Sequence, residues 1–223
     1  MPETRAGHHL PRRTHSETIS YAQAHPDRVL GLVLWAVSTT SRSEIDWITE
    51  GMGHIFPEAW DRFASYAERA DIGYRRGIDR LVEAYADLAA SPDPMIRDAA
   101  SHEWALWEDT HVSLGRGSLA RDPRWNDDRF RIAFVRLTTH YWSHDGFCTP
   151  PLLDGMERMR AIPGFLVHGR RDISSPLDTA WRLHGAWPSS TLMVDETGGH
   201  GTGEVPEYRR AAHAALLDTA AGR

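Results

Sequence analysis

Cysteine and basic residues are both scarce in this sequence. Cys148 is the one cysteine among 223 residues, so the chain can form neither an internal disulfide nor a CxxC zinc site. This fits a reducing, cytoplasmic setting. The chain has 25 Lys and Arg residues against 31 Asp and Glu residues. That balance argues against a nucleic-acid surface and against binding to an anionic membrane, since both need an excess of positive charge.

Long apolar stretches are missing as well. The longest run covers residues 29–37, about half of a membrane span, so no transmembrane helix is predicted. The first twenty residues carry charges and no apolar stretch, which argues against a secretory signal peptide. With 41% apolar residues and nine tryptophans, the chain can still build a core. The length predicts one domain with room for an inserted lobe.

Apolar spacing predicts an alternation of helices and strands. Helices are predicted at 16–25 and 44–50, with Ser16 and Ser43 as their N-caps, and at 57–70, 78–90, 94–114, 128–142, 177–184 and 204–221. Strands are predicted at 29–35, 164–168 and 192–194. Residues 1–15 show no period and are predicted to form an irregular tail. The order predicts an α/β fold with a parallel sheet built from 16–42 and 148–223, and a helical lid at 43–147.

Two predicted loops carry an acid and a histidine. Asp172 follows the strand at 164–168, and His200 follows the strand at 192–194 and lies between two glycines. In open parallel sheets, functional residues lie in loops beyond the carboxyl ends of the strands. An acid followed along the chain by a histidine is the order found in hydrolase triads. The carboxylate would orient the imidazole, which would take the proton from a nucleophile.

Short motifs spread over residues 21–202 make the chain recognisable. They are YAQAHPDRV at 21–29, RSEIDW at 42–47, IFPEAW at 55–60, WALWE at 104–108, HY at 140–141 with GF at 146–147, IP at 162–163, VHGR at 167–170 followed by Asp172, and GH at 199–200. In their order and spacing, the chain resembles the C-terminal two-thirds of the proline iminopeptidases, serine peptidases with an α/β-hydrolase fold and an inserted helical lid.

The resemblance implies an activity and a role for three residues. The activity is the release of N-terminal proline from a peptide or amide by acyl transfer, without a metal or other cofactor. Asp172 would be the triad acid and His200 the general base. Glu108 would bind the free amino terminus of the substrate, which a carboxylate can do through a charge-assisted hydrogen bond.

The sequence departs from the family pattern at two places. The family's second amine-binding glutamate falls at Thr138, whose neutral hydroxyl supplies no negative charge. The nucleophile of the family lies in a Gly-x-Ser-x-Gly turn, but the sequence contains no such motif, and the family spacing puts Arg12 at the serine position. The chain is therefore predicted to be inactive as it stands. The alternative is a non-catalytic remnant or binding module of the same family.

Other candidates have weaker support. Ser16 and Ser20 fall in a predicted helix, Cys148 has no evident base beside it, and Ser174 and Ser175 have no predicted oxyanion donor. His140 and His144 have the spacing of a metal-binding pair, but no third ligand is evident. The tryptophan-rich helices could also belong to a helical interaction protein. Finally, three strands out of the family's roughly eight would leave an apolar sheet edge exposed, which predicts self-association.

Overall fold

A computed structural model of the chain describes residues 15–114, 121–200 and 205–221. Its main elements are α1 (His15–Ala24), β1 (Leu32–Trp35), α2 (Arg42–Thr49), α3 (Pro57–Arg69), α4 (Leu81–Ala90), α5 (Pro94–Val112), α6 (Asp128–Ser143), β2 (Gly164–Gly169), α7 (Leu177–Ala186), β3 (Ser190–Asp195) and α8 (Val205–Ala221). Each predicted helix and strand therefore has a counterpart. Arg12 and nearly all of the predicted tail lie outside the described residues.

Within this part of the chain, the strands form a parallel sheet in the order β1–β2–β3. Leu32 of β1 pairs with Gly164 of β2, which pairs in turn with Ser190 of β3. Because all three strands run in the same direction, their carboxyl ends lie at the same edge of the sheet. The loops that carry Asp172 and His200 begin at this edge.

Helices cover both faces of the sheet. Leu34 and Leu166 pack on one face, in an apolar cluster that α1, α7 and the short helix Leu152–Met159 also supply. Val33 and Phe165 point to the opposite face, where they pack in a cluster with residues of α8. This two-sided cover explains why the strands read as continuous apolar runs rather than as alternating apolar and polar residues.

The helices between β1 and β2 have an apolar core of their own. Phe63 of α3, Tyr85 of α4 and Trp104 and Trp107 of α5 are fully buried in it. The ring of Phe63 stacks on that of Tyr85, with 4.2 Å between the ring centroids. A face of α5 thus packs against α3 and α4, which fixes the direction of its remaining side chains. The bounds 43–147 for the lid stay a prediction.

The strand β1 is shorter than predicted. It begins at Leu32 rather than at residue 29, because Pro26–Arg28 form a short 3-10 helix and the Leu32 N–H donates to the carbonyl of Pro163 at 2.9 Å. Leu30 lies outside the sheet and is 74% exposed. An apolar run alone therefore does not fix where the strand begins.

Both predicted N-caps are wrong. Ser41, not Ser43, caps α2, because Ser41 and Glu44 form a reciprocal capping box that satisfies backbone donors at the start of the helix. Ser16 lies inside α1, which already includes His15, and its hydroxyl oxygen accepts a hydrogen bond from Thr40 Oγ1 at 2.9 Å. Ser16 thus ties the first turn of α1 to the loop after β1.

Two further predictions concern membrane spanning and self-association. Among the described helices, none is long and apolar enough to cross a membrane. β1 and β3 are the outer strands of the three-stranded sheet. Self-association through a sheet edge stays a prediction, to be checked by the molecular mass of the protein in solution.

Candidate active site

The side chains of Asp172 and His200 meet at the carboxyl edge of the sheet. His200 Nδ1 lies 3.0 Å from Oδ2 and 3.2 Å from Oδ1 of Asp172. The Asp172 side chain is fully buried, whereas 28% of the His200 side chain is exposed. A carboxylate at Nδ1 holds the proton on that nitrogen and leaves Nε2, on the other side of the ring, as the basic atom.

Backbone groups hold Asp172 in this position. The N–H of Ser175 donates to Asp172 Oδ1 at 2.9 Å, and the N–H of Asp172 donates to the carbonyl of Gly169 at 3.2 Å. The loop thus folds back on the end of β2 and presents the carboxylate to His200. A buried carboxylate that accepts such hydrogen bonds is fixed in direction, as orienting an imidazole requires.

The acid loop and the histidine loop are joined through their main chains. The N–H of Arg170 donates to the carbonyl of Asp195 at 2.7 Å, and the N–H of Arg171 donates to the carbonyl of Gly198 at 2.9 Å. The carboxylate of Asp195 accepts the N–H groups of Thr197 at 2.9 Å and Gly198 at 3.0 Å, which closes the turn after β3. Hydrogen bonds at the ends of β2 and β3 therefore fix the path of the main chain that leads to His200.

His168, at the end of β2, joins the acid loop to the loop after β1. Its Nε2 donates to the carbonyl of Ser175 at 2.6 Å, so in the neutral ring Nδ1 accepts the N–H of Val37 at 3.0 Å. The hydroxyl of Ser175 also donates to the carbonyl of Val37. Burial lowers the pKa of His168 despite the nearby carboxylate of Asp172, and the neutral ring is the form that fits this pair of hydrogen bonds.

This lowered pKa predicts a loss of stability in mild acid. The unfolded chain binds a proton at His168 more readily than the folded chain does, so stability is full above a pH of about 6.5 and falls below it. We expect the free energy of unfolding to drop by on the order of 1 kcal/mol through this group between pH 7.5 and 5.5. The measurement is thermal unfolding of wild type and His168→Gln across this range.

The His168→Gln protein should be less stable at pH 7.5 but less sensitive to pH. His213 is exposed on α8, so His213→Gln is the matched control and should keep the wild-type dependence. Equal slopes against pH for wild type and His168→Gln would contradict the assignment of a neutral buried ring.

Glu108 lies on α5, at the border of the aromatic core. Its side chain is 22% exposed, and its Oε2 lies 3.5 Å from Nε2 of His111. Burial alone would raise the pKa of Glu108, but the charges of His111 and His200 and the nearby indole of Trp104 outweigh burial and lower the pKa. The influence of His200 puts Glu108 in the electrostatic surroundings of the Asp172–His200 pair.

His111 connects α5 directly to the acid loop. This buried ring places Nδ1 2.9 Å from Oγ of Ser174, two residues after Asp172, and the Ser174 hydroxyl lies 3.2 Å from the carbonyl of His111. The helix that carries Glu108 is therefore tied to the loop that carries the acid. The three residues for which a role was predicted, Glu108, Asp172 and His200, lie in one region, although their roles stay predictions.

The alternative nucleophiles lie elsewhere or are engaged. Ser16, Ser20 and Cys148 line a separate cavity of about 290 Å³ whose lining includes neither Asp172 nor His200. Burial raises the pKa of the Cys148 thiol, which lowers its thiolate fraction. Ser174 contacts His111, as described above, and the hydroxyl of Ser175 donates to the backbone. Arg12, at the position of the family serine, is outside the described residues.

Among the described residues, no third metal ligand lies beside His140 and His144. Nδ1 of His144 donates to the carbonyl of His140 at 2.8 Å. In the part of the chain that the structure describes, the group able to offer three ligand atoms is another one, formed by Asp98, His102 and Asp128. The guanidinium of Arg131 already pairs with both of those carboxylates, at 2.5 and 2.9 Å, so a cation is present there without a metal.

Sequence reasoning did not assign a role to three of these residues. His168 appeared only as part of a motif, Ser174 only as a weak nucleophile, and His111 not at all. The signal available for His111 was its spacing of three residues from Glu108, which puts both on one helix face. That spacing is common on helices, and the contact with Ser174 across 63 positions is visible only in the folded chain.

The parallel sheet with helices on both faces is a partial α/β-hydrolase fold, as predicted. The structure is similar to the crystal structure of an acetylester hydrolase from Corynebacterium glutamicum, with a TM-score of 0.50 and 17% sequence identity. The likeness covers 91% of this chain and 58% of that one. At this identity it supports the fold and no particular activity.

In sequence, this chain is similar to curated proline iminopeptidases. It is 38% identical to a probable proline iminopeptidase of Streptomyces coelicolor over 190 residues, which are 83% of this chain and 56% of that protein. It is 36% identical to a proline iminopeptidase of Arabidopsis thaliana over 83% of this chain and 48% of that protein. A proline iminopeptidase of Xylella fastidiosa is 35% identical, with 82% and 57% covered.

The chain thus spans about half the length of these curated relatives. Comparison with models of known protein families gives no match.

Proposed function

We propose that this chain carries the acid, the base and the amine-binding residue of a serine aminopeptidase that releases N-terminal proline. The observation that carries the proposal is the hydrogen bond between Asp172 and His200, with Glu108 in the same electrostatic surroundings. The similarity to proline iminopeptidases supports the choice of substrate. A peptide or amide with a free N-terminal proline presents both a cation for Glu108 and a carbonyl group for acyl transfer.

In this mechanism the three residues have separate tasks. Glu108 pairs with the cationic imino group and so sets the position of the proline ring. His200 Nε2 accepts the proton of a serine hydroxyl as the serine oxygen attacks the proline carbonyl, and then returns it to the leaving amine. Asp172 keeps the proton on Nδ1 and stabilises the imidazolium. Water repeats the cycle to release proline, with His200 again as the base.

The nucleophilic serine is missing from this sequence in the form that the family uses, because the sequence contains no Gly-x-Ser-x-Gly motif. We therefore propose that residues 1–223 by themselves do not turn over substrate. The second candidate function follows from the same observation: a module that binds N-terminal proline without cleaving it. Loss of a triad serine costs on the order of a million-fold in turnover, so the two functions differ in rate rather than in recognition.

Hydrolysis of a proline arylamide by the purified chain tests this proposal. For wild type and for His200→Ala, we expect the arylamine to be released no faster than in buffer without protein. Turnover that His200→Ala abolishes would overturn the proposed inactivity and reveal a nucleophile that the motif does not identify. Alanine arylamide is the matched substrate, since it has a free cationic amine but no pyrrolidine ring. The cytoplasmic location predicted from the sequence also stays a prediction.

A further inference from the structure

Two buried polar atoms on α5 face each other without a hydrogen bond. They are Glu108 Oε2 and His111 Nε2, which lie 3.5 Å apart. Neither makes a hydrogen bond to any residue that the structure describes. A buried polar atom without a partner destabilises a fold, so two such atoms side by side indicate that another group belongs between them.

The contacts of the other ring nitrogen define what His111 Nε2 can do. The Ser174 hydroxyl lies 3.2 Å from the carbonyl of His111, which can only accept, and 2.9 Å from His111 Nδ1. We assign the hydroxyl hydrogen to the carbonyl, which leaves Oγ of Ser174 to accept the hydrogen on His111 Nδ1. In the neutral ring, Nε2 is then an acceptor with its lone pair toward Glu108. Only the imidazolium carries a hydrogen on Nε2.

Two acceptors that face each other need a donor between them. A ligand nitrogen with two hydrogens can donate to both atoms at once. The protonated imino group of an N-terminal proline is a secondary ammonium and has two N–H bonds. It fits a pair formed by one charged and one neutral acceptor.

We propose that His111 is a specificity-determining residue that accepts the second N–H hydrogen of a cationic N-terminal proline, beside Glu108. This inference rests on the proposed function and names a second contact for the same substrate group. It also accounts for Thr138, which stands where the family resemblance implies a second glutamate. His111 supplies the second acceptor from the helix of Glu108 itself, so the site needs one carboxylate rather than two.

The geometry requires a small adjustment. Two acceptors, each about 2.8 Å from a tetrahedral nitrogen, lie about 4.5 Å apart. The distance of 3.5 Å between the atoms therefore widens by about 1 Å on binding. The carboxylate of Glu108 can make this change, because its side chain is partly exposed. The ring of His111 is held at Nδ1 by Ser174.

Glu108 also has charged neighbours on other elements. His200 in the histidine loop helps to lower its pKa, and the charge of Glu108 helps to raise the pKa of Arg124 in the short helix Pro123–Asn126.

Binding of L-prolinamide and N-methyl-L-prolinamide tests the inference by titration calorimetry at pH 7.5. Both ligands are cations, but the N-methyl compound keeps one N–H hydrogen and can satisfy one acceptor only. We expect wild type to prefer L-prolinamide by about tenfold, the effect of one hydrogen bond to a charged group. His111→Leu should lose most of this preference, and His111→Gln, which retains an acceptor, should keep part of it.

The controls separate this inference from the proposed function. N-acetyl-L-prolinamide has no charge and should not bind, and Glu108→Gln should not bind L-prolinamide. His140 is exposed on α6, and His140→Leu should match wild type. If wild type binds no L-prolinamide, both the proposed function and this inference fail. If Glu108→Gln abolishes binding but wild type binds both cationic ligands equally, the inference alone fails, and this comparison holds even where His111→Leu does not fold.

Discussion

Replacing Phe63 by alanine is expected to lower the free energy of unfolding by about 3–5 kcal/mol. Phe63 is fully buried in the apolar core of the helices between β1 and β2. Its ring stacks on those of Tyr85 at 4.2 Å and Trp107 at 5.4 Å, and meets Trp104 edge-on at 5.7 Å. The three neighbouring rings cannot close around the space left by Phe63 without losing their own contacts, so a cavity remains.

Urea unfolding followed by tryptophan fluorescence measures this loss. Phe147→Ala is the matched control, because it deletes the same atoms from a residue that is 55% exposed, and it should cost less than about 1 kcal/mol. Since Trp104 and Trp107 directly precede Glu108 on α5, Phe63→Ala should also weaken binding of L-prolinamide. If Phe63→Ala and Phe147→Ala lower the free energy of unfolding equally, the aromatic cluster does not stabilise the helices between β1 and β2.

Replacing Gly169 by alanine is expected to separate Asp172 from His200. A Cβ atom at position 169 would overlap the carbonyl oxygen of Gly198 and lie 2.7 Å from its carbonyl carbon and 2.9 Å from the carbonyl oxygen of Gly199. These are main-chain atoms, which cannot rotate away as a side chain can. The histidine loop must therefore move from the acid loop, at a cost of about 1–3 kcal/mol.

The histidine nitrogen resonances of the protein measure this separation. In wild type, His200 should carry its proton on Nδ1, whereas in Gly169→Ala the signal should approach that of a solvated histidine, with a lower unfolding temperature. Gly185 in α7 has open space around it, so Gly185→Ala makes the same chemical change without a clash and should be neutral or slightly stabilising. An unchanged His200 signal in Gly169→Ala would contradict the proposed close packing of the loops.

The sequence predicted the elements and the acid–histidine pair because both follow from local patterns. Apolar spacing identifies α3 through α6, and strand order alone brings the loops of Asp172 and His200 to one sheet edge. Boundaries were less accurate where side chains compete for the same backbone donor. Ser41 and Ser43 are both suitable N-caps by type, and the choice depends on Glu44, which closes the capping box with Ser41.

The contacts that complete the site were beyond sequence reasoning. His168 meets Val37 across 131 positions, and His111 meets Ser174 across 63. A buried histidine with two specific partners looks the same in a sequence as a histidine on the surface, because its role depends on which backbone groups tertiary packing leaves unpaired. Family resemblance could identify Glu108, but it says nothing about a neighbour that the relatives' motif does not include.

The main-chain hydrogen bonds between the acid and histidine loops have a consequence for mutational tolerance. They use the N–H groups of Arg170 and Arg171 and the carbonyls of Asp195 and Gly198, not the arginine side chains. Positions 170 and 171 can therefore accept most residues by mutation while the spacing of the two loops is kept. Proline is the exception, because it has no N–H to donate. Sequence drift at these two positions thus leaves the acid and the histidine in register.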